Sequence, residues 1–270
     1  MSLRDPLRLG AVALSVLILL LAAIGPEVTP HDPLRPDPMI RLAEPSALHW
    51  FGTDHLGRDV FSRVLAGARL SVGLAVLVVL VSAAIGLAVG LVAGMGGRWV
   101  DAALMRVTDA FFAFPELVAA LAVAGVLGGG GTEVLFALAV VGWMRYARVV
   151  RAMTLATSAS DHVALARLSG VGRLRIALDH LLPPVLPAMI VIMTAHVARA
   201  ILAISGLGFL GFGASPPQPE WGVILLEART YILSAPAYAL LPGLPIVISA
   251  LAFNLAGDAL RDRVGLAGPA

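Results

Sequence analysis

Long uncharged apolar runs recur along this chain with polar stretches between them, and most are apolar all round rather than along one stripe. A helix that crosses a bilayer needs about 20 such residues, and six segments are expected to span. Residues 9–26 follow MSLRDPLR and have no small-residue cleavage site ahead of Glu27, so they read as an uncleaved first span. Residues 70–97 form the second. The third, 107–127, is interrupted by Glu116; the tetraglycine 128–131 makes a turn, and 132–151 form the fourth. Residues 181–212, which hold His196 and Arg199, are the fifth, and 237–255 the sixth. The expected fold is an all-α integral membrane protein of about six transmembrane helices, with both termini on one side.

The pattern also divides the chain. Residues 1–26 are the N-terminal tail and first span, 27–69 an extracytoplasmic segment with an interfacial helix, 70–263 the membrane core and 264–270 a C-terminal tail. In the second segment Thr53 or Asp54 is expected to cap a helix whose apolar face is Val60, Phe61, Val64, Leu65 and Ala68, a pattern that suits the interface plane. That reading is preferred over a metal site at His55 with Asp54 and Asp59. In the second span Gly86, Gly90 and Gly94 stand four apart on one face, the spacing that lets membrane helices approach closely.

One polar interruption stands out: RYARVVRAMTLATSASDHVALARLSGVGRLRIALDHLLP, residues 145–183, with six arginines. Its loop, residues 152–182, breaks into a short helix at Asp161–Leu168, a Ser169-Gly170-Val171-Gly172 break, and a second amphipathic piece at 174–182. Pro183, Pro184 and Pro187 mark the return to the bilayer. Such a helix can dock into a partner's groove or lie on anionic headgroups. Arg145, Arg148 and Arg151, every third residue, are expected to snorkel to lipid phosphates.

Composition supports the membrane reading: 59% of residues are apolar and 13% charged, where soluble domains run nearer a quarter charged. All nineteen basic residues are arginine. A P-loop needs its lysine, so the chain is no P-loop ATPase, and without cysteine it has no disulfide, thiolate nucleophile or Cys-based metal site. The arginines lack the basic, aromatic-rich footprint of nucleic-acid binding. With the N-terminus inside, inner segments hold twelve arginines and outer ones six, Arg199 lying within a span. The positive-inside rule then places both termini and the polar loop in the cytoplasm.

The loop resembles the EAA loop of ABC-importer permeases, whose outline is E-A-A, three residues, G, nine residues, I, one residue, L-P. Ala166, Gly170, Leu182 and Pro183 match it, while Ala164, Leu165 and His180 stand where E, A and I would be. FGTDHLGRDVFSRVLAGARLSVG, FLGFGASPPQPEWG and AFNLAGDALRD resemble the dipeptide/oligopeptide/nickel permease group, and the motifs together span residues 51–263. The resemblance implies a type I importer architecture and a non-catalytic subunit without a cofactor of its own. It places the chain in the bacterial inner membrane and implies a second homologous permease, two cytoplasmic ATPase subunits that hold ATP and Mg²⁺, and a periplasmic or lipid-anchored substrate-binding protein. Coupling residues carried over are Ala164, Ala166, Arg167, Gly170, Leu182 and Pro183; Ala164 removes one expected carboxylate from the contact.

Within the group, RLSG and DHL are most similar to the nickel permeases, so nickel, free or chelated, is the expected cargo and di- or oligopeptide the alternative. Met189, Met193 and His196 share one face of the fifth span, with Arg199 nearby, which suggests a thioether and imidazole path. Core packing explains methionines equally well. Glu116 and Arg199 each cost about 2.5 to 3.5 kcal/mol at bilayer depth if unpaired, so they are expected to line the translocation cavity. Glu116 suits a cation; Arg199 suits the carboxylates of a chelator or peptide. A secondary transporter would show an internal repeat with paired broken helices, and an intramembrane enzyme would show HExxH, GxSxG or a carboxylate pair. Neither signature is present.

Overall fold

The structure is a computed structural model that describes residues 6–263, so the expected 264–270 tail and Arg4 lie outside the described residues. It is all-helical. Helix α1 is Pro6–Ile24 and α2 is Val60–Met95; α3 (Arg98–Phe112), α4 (Glu116–Leu127), α5 (Gly131–Gly142) and α6 (Met144–Ser158) follow. Two short helices, α7 (Asp161–Leu168) and α8 (Arg173–Ile176), lead into α9 (Leu182–Phe209). Then come α10 (Trp221–Ala228), α11 (Pro236–Leu240) and α12 (Leu244–Arg263).

Among the described residues, four stretches are long and apolar enough to cross a membrane: Leu7–Glu27, Val60–Met95, Arg173–Phe209 and Pro236–Arg263. The third expected span is not one straight helix. It breaks between α3 and α4, which meet at 87°. Pro115 explains the break: the residue before proline is pushed out of the α region, and Pro115 itself has extended ψ as it precedes α4. Counted as one bent span, the pair makes five. The fourth expected span divides into α5 and α6, which run on through the helical backbone of Trp143.

Helix α2 has 36 residues, about 54 Å at 1.5 Å per residue, well beyond the roughly 30 Å hydrocarbon core. Its first turns are therefore not a separate interfacial helix, contrary to the sequence expectation. Val60, Val64 and Ala68 are buried in the main core, and Trp221 Nε1 donates to the Val64 carbonyl at 2.8 Å. The cap is neither Thr53 nor Asp54. Asp59 caps α2 by accepting from Ser62 N at 2.7 Å.

At the other end of α2 the three spaced glycines work as their pattern predicts. A Cβ on Gly86 would sit 2.4 Å from Tyr146 Cβ, one on Gly90 2.7 Å from the Ala147 carbonyl, and one on Gly94 2.5 Å from Thr154 Cγ2. Helix α6 thus lies directly against the α2 backbone. Around this pair α9 and α12 pack together, α1 lies on α12 and α2, and α4 pairs with α5. Val72, Val78, Leu138, Ile201, Ile204 and Phe253 form the shared core.

The ends are ordered by specific contacts. Arg8 at the start of α1 pairs with Asp262 at the end of α12, and Arg69 near the start of α2 pairs with Glu27 just after α1. Val163 and Ile176 of the loop pack with Leu91 and Met95 at the far end of α2. The start of α1, the end of α12 and the polar loop therefore share one end of the bundle, and residues 27–59 lie at the other.

Candidate functional site

The polar loop is built as the sequence suggests. Helix α7 ends in a reversal at Gly170, whose φ of +77° favours glycine. The chain then re-enters a helix at Arg173. Helix α8 does not stop before the prolines: a π turn, Ala177–Leu181, joins it to α9, with Leu182 N donating to the Ala177 carbonyl. Pro183 and Pro184 lack N–H donors, and a wider turn accommodates them without breaking the helix axis.

Beneath the loop, Val163, Ile176 and Leu181 are buried against Leu91, Met95 and Val171. That small core leaves the opposite side apolar and open: Leu165 is 63% exposed, Leu168 85% and Leu174 74%. Ala164, Arg167, Gly170 and Pro183 are also exposed, and Ala166 and Leu182 are half-buried. The loop thus presents exposed leucines between arginines Arg167, Arg173 and Arg175, a surface suited to docking rather than to self-packing.

A second cluster sits where α4, α6 and α9 converge. Arg145 donates to Glu116 at 2.8 Å, His196 Nε2 stands 3.8 Å from the same carboxylate, and Tyr146 and His196 Nδ1 hydrogen-bond at 2.8 Å. Glu116 and Arg199 line one cavity of about 260 Å³ with Leu117, Leu138, Leu202 and Ala203. Arg199 Nε is buried with no partner among the described residues. Met193 is half-buried between two core clusters, and Met189 is buried against Ala83, Tyr146, Val150 and Val185. His196, only 2% exposed, closes this packing. Of the expected pathway residues, Glu116 and Arg199 reach the cavity, His196 backs Glu116, and the two methionines pack as core.

The arginines every third residue on α6 are each held in an ion pair. Arg145 pairs with Glu116, Arg148 with Asp109 at 2.7 Å, and Arg151 with Asp101. Arg148 also lies over the Phe112 ring, 3.9 Å from its centroid. Sequence reasoning passed over this ladder, although Asp101, Asp109 and Glu116 recur at seven- and eight-residue intervals on the chain that folds back over α6.

At the end opposite the loop, Asp54 is fully buried and accepts from Arg58 Nε at 2.6 Å and Arg63 Nη1 at 2.8 Å. Both arginines also reach Glu227, at 3.1 and 2.8 Å. Burial pushes the Glu227 carboxyl above its ordinary value, against the opposing pull of Arg58. His55 stands beside this network, its ring stacked on Tyr231 with centroids 5.8 Å apart and its Nδ1 3.2 Å from the Tyr238 hydroxyl. Glu220, also fully buried, caps α10 by accepting from Gly222 N at 2.8 Å and Val223 N at 3.0 Å. Burial raises its pKa as well, more than those hydrogen bonds lower it.

Residues 86–265 match the family described as binding-protein-dependent transport system inner membrane component. The chain belongs to that family. It is 41% identical over 264 residues to the nickel transport system permease protein of Escherichia coli (strain K12), covering 98% of this chain and 95% of that one. It is 40% identical to the glutathione transport system permease protein of Pectobacterium atrosepticum, covering 94% and 86%. It is 38% identical to the dipeptide transport system permease protein of Alkalihalophilus pseudofirmus, covering 95% and 85%. The permease is thus a multi-pass membrane subunit of a bacterial ABC importer, of the group to which these relatives belong. Such subunits are non-catalytic and carry no cofactor. A partner ATPase hydrolyses ATP, and a second permease and a binding protein complete the importer.

Proposed function

We propose that the permease moves nickel, free or chelated, from a binding protein into the cytoplasm. The match to the nickel permease along nearly the whole of both chains carries this reading. The cavity chemistry supports it, because Glu116 offers a cation the carboxylate oxygen that Arg145 does not hold, and the Arg199 side chain lines the same cavity as a cationic partner for a chelator's carboxylate. That side chain equally suits a peptide carboxylate, which keeps di- or oligopeptide import as the second reading.

Both termini and the polar loop lie in the cytoplasm in this account. Ala164, Ala166, Arg167, Gly170, Leu182 and Pro183 frame the surface that two ATPase subunits grip, and Leu165, Leu168 and Leu174 supply its apolar contact. With alanine at 164, docking rests on apolar burial and the arginines rather than on a carboxylate at that position. Because α8, the π turn and α9 run on from the loop to the cavity at Arg199, a displacement of the loop moves one cavity wall as a rigid element, the two-state shift that alternating access needs.

Uptake of radioactive nickel by cells carrying the complete importer tests the cargo. Saturable uptake, undiminished by excess dipeptide and lost in Glu116→Gln, is expected. Uptake of dipeptide but not nickel would replace the cargo while leaving the importer reading intact.

A further inference from the structure

Three side chains meet at the end of the bundle opposite the coupling loop. His49 Nδ1 is 2.8 Å from Asp59 Oδ1, His31 Nδ1 is 3.8 Å from Asp59 Oδ2, and the two imidazole centroids are 4.8 Å apart. Their three ligand atoms lie within 4.8 Å of one another. They line a cavity of about 580 Å³ that Asp32, Arg35 and Asp37 also border. From this geometry we propose that His31, His49 and Asp59 bind a divalent transition-metal ion.

Helix capping alone explains only part of the cluster. Asp59 caps α2 through Ser62 N, and His49 can simply donate to the same carboxylate. His31 remains. Its backbone N–H is fixed by Ser62 Oγ at 3.1 Å, which holds the ring beside Asp59, yet its Nδ1 is buried with no partner among the described residues. A buried polar atom left without a partner is unfavourable, and a metal ion on that nitrogen removes the cost. The carboxylate offers about four lone-pair sites, so the cap and a metal bond coexist.

The donor set names the class of ion. Imidazole suits nickel, zinc and copper, whereas magnesium and calcium prefer oxygen alone. Bonds of about 2.0 to 2.2 Å place ligand atoms roughly 3.4 Å apart, so His31, whose side chain is 38% exposed, has to turn inward while the other two barely move. Three protein ligands leave open positions for water or for a group on an arriving molecule. The neighbouring trio Asp54, His55 and Glu227 is also close enough for a metal, but Arg58 and Arg63 occupy its carboxylates. The site stands whatever cargo the permease carries.

Equilibrium dialysis of the tag-free, chelator-stripped full chain against NiCl₂ and ZnCl₂ at constant pH tests it. One ion per chain is expected, unaffected by excess Mg²⁺, with at least tenfold weaker binding in His31→Gln and in His49→Gln and no change in His55→Gln. Nickel should raise the unfolding temperature of the wild type and not that of the variant carrying both His31→Gln and His49→Gln. Absence of bound ion in the wild type, or unaltered binding in His31→Gln, overturns the proposal. Among the described residues the His31 ring makes no side-chain hydrogen bond that the substitution would break, so that variant decides even if His49→Gln misfolds. Because the readout involves no transport, a failure here leaves the nickel-uptake reading untouched.

Discussion

Two buried carboxylates at the end opposite the loop differ in what holds them. Asp54 is buried between Arg58 and Arg63, and removing one partner of a buried ion pair costs about 3 to 5 kcal/mol. Asp54→Ala is therefore expected to lower the unfolding midpoint in detergent sharply, with Asp54→Asn intermediate. Glu220 behaves differently, because burial raises its pKa. An acid whose folded pKa exceeds its unfolded value contributes stability below the unfolded value and loses it as pH rises through the folded one. Thermal midpoints should thus fall as pH climbs above the ordinary carboxylate range, and Glu220→Gln should flatten that slope. In the cavity, Glu116→Gln and Arg199→Gln should each cut uptake by tenfold or more with the chain still folded; unchanged uptake in both would remove these residues from the pathway. The sequence marks Glu116 and Arg199 by their cost in an apolar run, whereas the His31, His49 and Asp59 cluster joins loop positions by a chain path that no local spacing encodes.

Among the elements, the best-encoded contact is that between α2 and α6. Small residues four apart define a face, and the face meets a helix backbone at Trp143 and Ala147. Gly90→Val forces a side chain against the Ala147 carbonyl and should cost about 1 to 3 kcal/mol by overpacking, measured as a drop in unfolding midpoint; Gly97→Ala, with open space around it but a positive φ, should cost only its backbone strain. The short helix Asp161–Leu168 was equally legible, since a polar break in an apolar chain, with glycine at its end, has few other solutions. The break at Pro115 was not. Residues 107–127 have the composition of a span, and composition does not show that proline turns the chain by 87°. The first turns of α2 were misread for a related reason: an apolar face can meet lipid or protein, and only tertiary packing against Trp221 decides which.

For the molecule as a whole, the account rests on a division of ends: termini and coupling loop at one, the 27–59 segment and α10 at the other. Arg8 with Asp262, Arg69 with Glu27, and the loop core against Met95 fix that division without reference to a membrane. Family membership makes this subunit the passive half of an engine, so a loop that never meets the ATPase would leave it motionless. Replacing Leu165 and Leu168 by glutamate should abolish transport-coupled ATP hydrolysis while substrate delivery to the opposite face persists. The most direct measurement exploits the absence of cysteine from the chain. A single Ser169→Cys substitution, treated with a membrane-impermeant thiol reagent, should label in inside-out vesicles only, and partner ATPase should protect it. Labelling of intact cells or right-side-out vesicles would place the loop outside and contradict the account.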